Sequence, residues 1–265
     1  MNLIPVHDPE DPRLAGYRDI REKDLVGRQG RFIAEGKVVL RTMLQARRFE
    51  VESALILDSR LAGVGDILSG IPDHLPVYVA GRPVLDRVAG FPMHRGVLAI
   101  GRRRQAETPA SLLAALPPRA LVVVLVAIAN HDNVGAVFRN AAAFGADAVL
   151  LDGLSCDPLY RKAIRVSVGA ALKVPFATSE TADALADALS EAGFGIVALS
   201  PSGGGDIRSV SRPDRVALFL GSEGDGLPPQ LLSRLQSARI AMAPGFDSLN
   251  VAAASAIALH RLADL

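Results

Sequence analysis

Cysteine is nearly absent: Cys156 stands alone among 265 residues, which excludes an internal disulfide framework and suits a reducing compartment. Long hydrophobic runs are missing too. The most apolar stretch, Leu121 to Ala129, falls far short of the roughly 20 residues that span a bilayer; it reads instead as a buried parallel strand. Met1 to Pro12 carries acids and prolines and has no apolar segment of the kind a secretory leader needs. A soluble, cytoplasmic protein with no membrane segment is expected. There is no excess charge of one sign, with 29 basic residues against 28 acidic ones and a net charge of +1. A nucleic-acid binder needs no global excess if its basic groups cluster. Lysine is scarce: apart from Lys23, Lys37, Lys162 and Lys173, every basic residue is arginine. Arginine suits bidentate phosphate contact and stacking on bases, but a GC-rich genome gives the same bias, so composition leaves the partner open. The histidines (His7, His74, His94, His131 and His260) and Cys156 show no metal-ligand spacing. No metal is expected.

Apolar residues make up 49% and charged residues 22% of the chain, enough for a sizeable core and too apolar for general disorder. Residues 1–18 read as a polar, proline-bearing lead-in. Residues 19–103 read as an α/β unit, with strands at 31–35, 53–57, 77–80 and 96–100 and a helix from Lys37 to Arg48. Residues 104–118 read as a linker with one short helix near 109–116. A second unit, 119–265, has stronger strand signals at 121–128, 148–151, 195–199 and 216–220, with helices at 134–144 and 181–192. Strands alternating with helices predict a mostly parallel sheet covered on both faces. Ligands of such sheets bind beyond the strands' carboxyl ends, so the informative loops follow Ile128, Leu199, Leu220 and Ile240.

Three of these loops carry polar groups in apolar surroundings. In Asn130-His-Asp-Asn133-Val-Gly-Ala-Val-Phe-Arg139, a helix starts near Asn133, and Arg139 lies six residues further on in an otherwise apolar stretch. A charge there must be paired or point into a site, although a helix cap followed by a solvated arginine fits the segment equally. In Gly221-Ser-Glu223-Gly-Asp-Gly226, three glycines in six residues permit close approach to a ligand. No Walker lysine or dinucleotide-binding glycine frame is present, and Glu223 and Asp225 would repel a phosphate, so a neutral or cationic ligand fits better. In Phe246-Asp-Ser248-Leu249-Asn250, Ser248 reads as a helix cap and Asn250 as a first-turn residue of an alanine-rich helix.

Together, Asn133 to Gly145, Leu220 to Leu227 and Ser248 to Val251 resemble, in order and spacing, the three motifs of the SpoU (TrmH) family of SPOUT methyltransferases. Asp157 to Gly169 is similar to that family's middle region. Residues 19–101 resemble more loosely the ribosomal-protein-like α/β domain that often precedes the catalytic one. The resemblance implies an α/β fold whose C-terminal parallel sheet, with helices on both faces, is threaded into a deep trefoil knot, and a homodimer whose active site uses both subunits. It further implies S-adenosylmethionine as cofactor, held by Leu199, Ser200, Gly221, Ile240, Met242 and Leu249, and transfer of a methyl group to an RNA ribose 2′-hydroxyl. The catalytic set carried over is Arg139, Asn133, Glu223, Ser248 and Asn250. Two departures bear on the subfamily: His131-Asp132 and Asn140 flank the motif-one asparagine and arginine, and Pro244-Gly245 shifts a glycine in the third loop.

RNA is expected on arginines of the first unit and linker: Arg28, Arg31, Arg41, Arg47, Arg48 and Arg102, Arg103, Arg104. The leading domain favours ribosomal over transfer RNA by family analogy. The rival readings are a transfer-RNA 2′-O-methyltransferase, a non-catalytic RNA-binding scaffold of the same fold, and a nucleotide-binding α/β enzyme. Lack of a phosphate-loop frame counts against the last of these.

Overall fold

The computed structural model describes residues 2–18, 22–104 and 106–263. Two compact units divide it: Met1–Gln105 with Leu159–Lys173, and Ala106–Pro158 with Val174–Leu265. Among the described residues, no helix is long and apolar enough to cross a membrane.

The first unit runs β1 (Asn2–Val6), α1 (Glu22–Gln29), β2 (Arg31–Glu35), α2 (Lys37–Ala46), β3 (Phe49–Leu57), α3 (Gly65–Leu68), β4 (Pro76–Ala80), α4 (Arg82–Ala89) and β5 (Val97–Arg103). Its sheet has the order β1-β4-β3-β5-β2, with β1, β4 and β3 parallel and β5 antiparallel to both neighbours. The supposed lead-in is part of this fold. Leu3 lies opposite Val77 in the edge strand β1, where Pro5 costs no ladder bond that a central strand would need. A 3-10 turn at Pro12–Tyr17 buries Leu14 and Tyr17, and the Tyr17 hydroxyl meets Ser53 Oγ at 2.7 Å. Burial pushes that phenol's pKa well above its usual value. The expected boundary at residue 19 lies outside the described residues. The helix expected to reach Arg48 stops at Ala46, because Arg47 turns left-handed (φ 53°) and returns its N–H to the Met43 carbonyl. The strand expected at 96–100 continues through Arg102 and Arg103 in β5.

The second unit begins with α5 (Pro109–Ala114), opened by a capping box between Thr108 and Ser111. Leu112 and Leu113 of α5 join this unit's core, so the expected linker is largely packed structure. The chain continues through β6 (Ala120–Leu125), α6 (His131–Ala143) and β7 (Ala148–Leu151). Next come α7 (Arg161–Val166) and α8 (Ala170–Lys173), which group with the first unit although the sequence reading gave 119–265 to one domain. Their apolar residues Ala163, Ile164, Ala171 and Leu172 are buried. The second unit resumes with β8 (Phe176–Thr178), α9 (Ala182–Glu191), β9 (Gly195–Leu199), β10 (Gly205–Asp206), β11 (Arg215–Leu220), α10 (Pro229–Arg234), β12 (Gln236–Arg239) and α11 (Val251–Leu262).

These seven strands form one parallel sheet, in the order β10-β12-β9-β11-β6-β7-β8. All six residues of β6 are buried, as a strand covered on both faces requires. Val122, Val124, Ala217 and Phe219 pack with Leu185 and Leu189 of α9, Leu231 of α10 and the α5 leucines. On α6, Phe138 meets Phe176 edge-to-face at 5.8 Å, and α6 also packs against α11. The carboxyl ends of β6, β9, β11 and β12 share one edge, from which the four informative loops emerge.

Candidate active site at the carboxyl edge of the parallel sheet

The loop leaving β6 is shaped by one buried acid. Asp152, 3% exposed, accepts the Ala127 N–H at 3.0 Å and the Ser155 N–H at 2.9 Å, and lies 2.8 Å from Ser155 Oγ. Ser155 Oγ in turn accepts from the Ile128 N–H. Ala127 is thereby held left-handed (φ 55°), a conformation that costs about 1–2 kcal/mol for a residue with a side chain. Asn130 then caps α6, its side chain accepting from the Asp132 N–H at 2.8 Å. The sequence reading missed Asp152, because a lone acid just past the end of β7 carries no motif of its own.

Asn133 follows in the first turn of α6 and is buried. Its amide nitrogen donates to Glu223 Oε1, and its amide oxygen accepts from Asn250 Nδ2 at 3.1 Å. Three of the five candidate catalytic residues are therefore joined, one from each of the three loops. Asn250 is itself the cap of α11, accepting from the Ala252 N–H at 2.9 Å. The cap expected at Ser248 is thus two residues off: Asn is as good a cap as Ser, and Asn250 has the extended backbone a cap requires (φ −52°, ψ 136°). One heptad beyond Asn133, on the same face of α6, Asn140 donates to the Ala252 carbonyl at 2.7 Å and to Ser255 Oγ at 2.9 Å. The two asparagines fix the register of α6 against α11.

Arg139 is not joined to this chain. Six residues after Asn133, it is rotated by about 240° around the helix. It is exposed, and no hydrogen bond or ion pair to another described residue holds it. Ser248 is exposed as well.

Beside the Asn133–Glu223–Asn250 chain is a cavity of about 480 Å³, within the roughly 300–1,000 Å³ usual for small-molecule sites. Leu199, Ser200, Gly221, Ile240, Met242 and Leu249 all line it, as do Glu223 and Ser248. The sequence reading did not count Leu220, Ser222, Leu227 and Asp247 among the lining residues, which they are. Gly221 lets the loop close on itself: an added Cβ would overlap the Gly226 carbonyl carbon and the Leu227 nitrogen. Among the described residues, three carboxylates line the cavity, from Glu223, Asp225 and Asp247, and no lysine or arginine does. Such a lining disfavours a phosphate-bearing ligand and favours a neutral or cationic one.

In the first unit, the expected RNA-binding arginines are heavily engaged. Arg31 pairs with Glu52 at 2.8 Å, Arg41 with Asp66 at 2.7 Å, and Arg102 with Glu50 at 2.8 Å and Glu52 at 3.2 Å. Arg48 lies over the Phe49 ring. Arg28 lies in the last turn of α1, Arg47 caps the C-terminus of α2, Arg103 ends β5, and Arg104 is exposed just beyond.

A parallel α/β sheet with a glycine-closed, acid-lined cavity at its carboxyl edge defines an α/β protein with a small-molecule site where open parallel sheets bind their ligands. Residues 120–260 match the profile of the SpoU rRNA Methylase family. An uncharacterized tRNA/rRNA methyltransferase of Mycobacterium tuberculosis is 40% identical over 271 residues, covering 98% of this chain and 91% of the relative. In three dimensions the chain resembles an AdoMet-bound rRNA methyltransferase from Sinorhizobium meliloti, with a TM-score of 0.84 at 23% identity over 98% of this chain and 97% of that one. An RNA 2′-O ribose methyltransferase gives a TM-score of 0.79 at 26% identity over 98% of both chains. The chain belongs to the SpoU rRNA methylase family of RNA methyltransferases.

Proposed function

We propose that this protein transfers the methyl group of S-adenosylmethionine to a ribose 2′-hydroxyl of RNA, and that the RNA is ribosomal. The observation that carries the reading is the Glu223–Asn133–Asn250 chain beside an acid-lined cavity containing no lysine or arginine. The cavity fits this cofactor on chemical grounds. Its carboxylates suit a sulfonium, its apolar walls suit an adenosine, and it lacks the cations a nucleotide phosphate would need. When bound, S-adenosylmethionine supplies an activated methyl group. Leu199, Ser200, Gly221, Ile240, Met242 and Leu249 would hold it. The 2′-O assignment draws support from the similarity to an RNA 2′-O ribose methyltransferase. The ribosomal target draws on the family's description and on the extra α/β unit.

The polar chain has a defined task in this reading. Asn133 is fixed at both ends of its amide, so Glu223 and Asn250 hold set positions at the cavity's edge, where they orient the ribose. The 2′-hydroxyl is a weak acid, so its proton must leave as the new bond forms, and the Glu223 carboxylate at the cavity's edge is the acceptor the site supplies. Arginine, with a pKa above about 12, is a poor base. Arg139 therefore acts on the phosphate next to the ribose and on the oxygen as it gains charge. Because Arg139 points away from its own Asn133, it serves a site completed by a second copy of the chain. The homodimer, and the trefoil knot formed by the loops after β11 and β12, belong to the same proposal.

The test is tritium transfer from labelled S-adenosylmethionine to total RNA from a strain lacking the protein, followed by mapping of 2′-O-methyl positions. A single labelled ribosomal position, lost in Arg139→Ala, is expected. Label in transfer RNA alone would replace the target, and absence of both label and cofactor binding would leave the scaffold reading.

A further inference from the structure

The first unit contains a second cavity, of about 450 Å³, with the opposite electrostatic character. Lys37, Arg60, Arg95 and Arg165 line it, with His94. Glu35 is the one acid among the described lining residues, and its buried carboxylate is taken by Arg161 Nε at 3.0 Å. Among the described residues, no carboxylate pairs with Lys37, Arg60, Arg95 or Arg165. Arg31, Arg41 and Arg102, by contrast, are each neutralised by an acid.

The backbone is arranged around this cavity in the same sense. Helix α2 begins at Gly36, which has no side chain to cap the first turn, and the cavity opens at that end. The N–H groups of such a turn have no partner within the helix and favour an anion. Gly36 is left-handed (φ 98°), and a Cβ there would lie 3.1 Å from Arg95 Cδ. Gly96 is left-handed too (φ 66°), and a Cβ there would lie 3.0 Å from Arg60 Cγ. Both arginine stems are thus laid against backbone that only glycine leaves open, one of them at the helix start. Arg95 Nη1 keeps only a long bond of 3.5 Å to the Glu35 carbonyl, which leaves most of its donors for a ligand.

We infer that this cavity is a phosphate-binding subsite that holds a backbone phosphodiester of the RNA substrate between Arg60, Arg95, Arg165, Lys37 and the start of α2. It rests on the reading of the protein as an RNA methyltransferase and moves the principal phosphate contact away from the ion-paired arginines. Planar guanidinium groups bind phosphate in bidentate fashion. Each phosphate neutralised releases counterions and steepens the salt dependence of binding.

The test compares R60Q/R95Q with R41Q/R102Q, two variants that remove the same formal charge from unpaired and from ion-paired positions. The probe is radiolabelled, deproteinised ribosomal RNA, measured by filter binding at a series of potassium chloride concentrations. Calorimetric binding of S-adenosylmethionine, unchanged in both variants, verifies that they are folded. R60Q/R95Q is expected to raise Kd about tenfold or more and to lower the slope of log Kd against log salt by about 1. R41Q/R102Q is expected to change Kd less than threefold. Equal effects of the two variants, or none from R60Q/R95Q, would overturn the subsite. A separate arm follows thermal unfolding in inorganic phosphate against chloride at matched ionic strength. Stabilisation of wild type that is lost in R60Q/R95Q supports the anion site independently of RNA. If phosphate stabilises wild type but ribosomal RNA does not bind, the RNA assignment falls and the anion site stands.

Discussion

Replacing Gly221 with alanine puts a methyl group where the loop after β11 closes on itself. The added carbon would overlap the Gly226 carbonyl carbon and the Leu227 nitrogen and sit 2.6 Å from the Gly226 oxygen. All three obstacles are backbone, so no rotamer change relieves them. Restoring ordinary van der Waals distance requires a loop displacement on the order of 1 Å, and overpacking of this kind costs about 1–3 kcal/mol. The displaced segment lines the cavity on one side and carries Glu223, so the cost falls mainly on cofactor binding. At 1.4 kcal/mol per factor of ten, S-adenosylmethionine affinity is expected to drop about 5- to 150-fold by calorimetry. Whatever part of the cost falls on stability lowers Tm by about 2–4 °C per kcal/mol. Two neighbours calibrate the measurement. At Gly224 an added Cβ meets nothing within 4 Å, so Gly224→Ala should leave Kd and Tm unchanged. At Gly226 space is open but φ is +68°, so alanine incurs only the left-handed penalty of about 1–2 kcal/mol. If Gly221→Ala binds the cofactor as wild type does, with an unaltered Tm, the closed loop does not shape the site and the cavity assignment fails.

Asn133→Ala removes the partner of both Glu223 and Asn250; methyl transfer should fall at least about tenfold while cofactor Kd moves less than threefold, and equal losses in both would refute a substrate-orienting role. Asp152→Ala strands the half-buried N–H groups of Ala127 and Ser155, which should cost about 1–3 kcal/mol in urea unfolding, and no measurable loss would mean the loop is held otherwise. Asp206, bonded through its side chain by Arg208, has its pKa lowered to about 2. Its folded pKa lies below the unfolded value, so the favourable interaction is complete above about pH 4 and disappears as pH falls through about 2; an NMR titration should find the midpoint near 2 and Arg208→Gln should raise it toward 3.8, whereas an unmoved midpoint would refute the pairing.

The central strands were legible because each is a short, continuous apolar run: 148–151 and 195–199 coincide with β7 and β9. The edge strands β8 and β10 escaped, since three and two residues carry no periodicity. The lead-in misled because Pro5 and the acids around Pro9 and Pro12 look like loop, while the residues that bury, Val6, Leu14 and Tyr17, are too few and too irregularly spaced to form a pattern. In the site, the motifs named the members of the polar chain. They did not reveal that Asn250, not Ser248, caps α11, nor that Asn140 ties α6 to α11. The cap is a local choice between two residues that cap equally well, whereas the Asn140 bond depends on a partner 112 residues away in sequence, which no local spacing encodes.

A net charge of +1 conceals two sites of opposite character. One cavity is lined by Glu223, Asp225 and Asp247 without a cation; the other is lined by four cations with its single acid already engaged. Methyl transfer to RNA makes both demands on one chain: a sulfonium is stabilised by carboxylates and a phosphodiester by guanidiniums, and either lining would repel the other's ligand. At positions 60 and 95 arginine has a use that lysine lacks. A guanidinium keeps its charge and planar donor geometry when its stem is pressed against Gly36 or Gly96, whereas lysine offers only a point charge. Arg→Lys at 60 and 95 therefore preserves net charge but not the forked contact. RNA affinity should fall between wild type and R60Q/R95Q with the salt slope retained, and full affinity in the lysine variant would show that charge alone binds the phosphate.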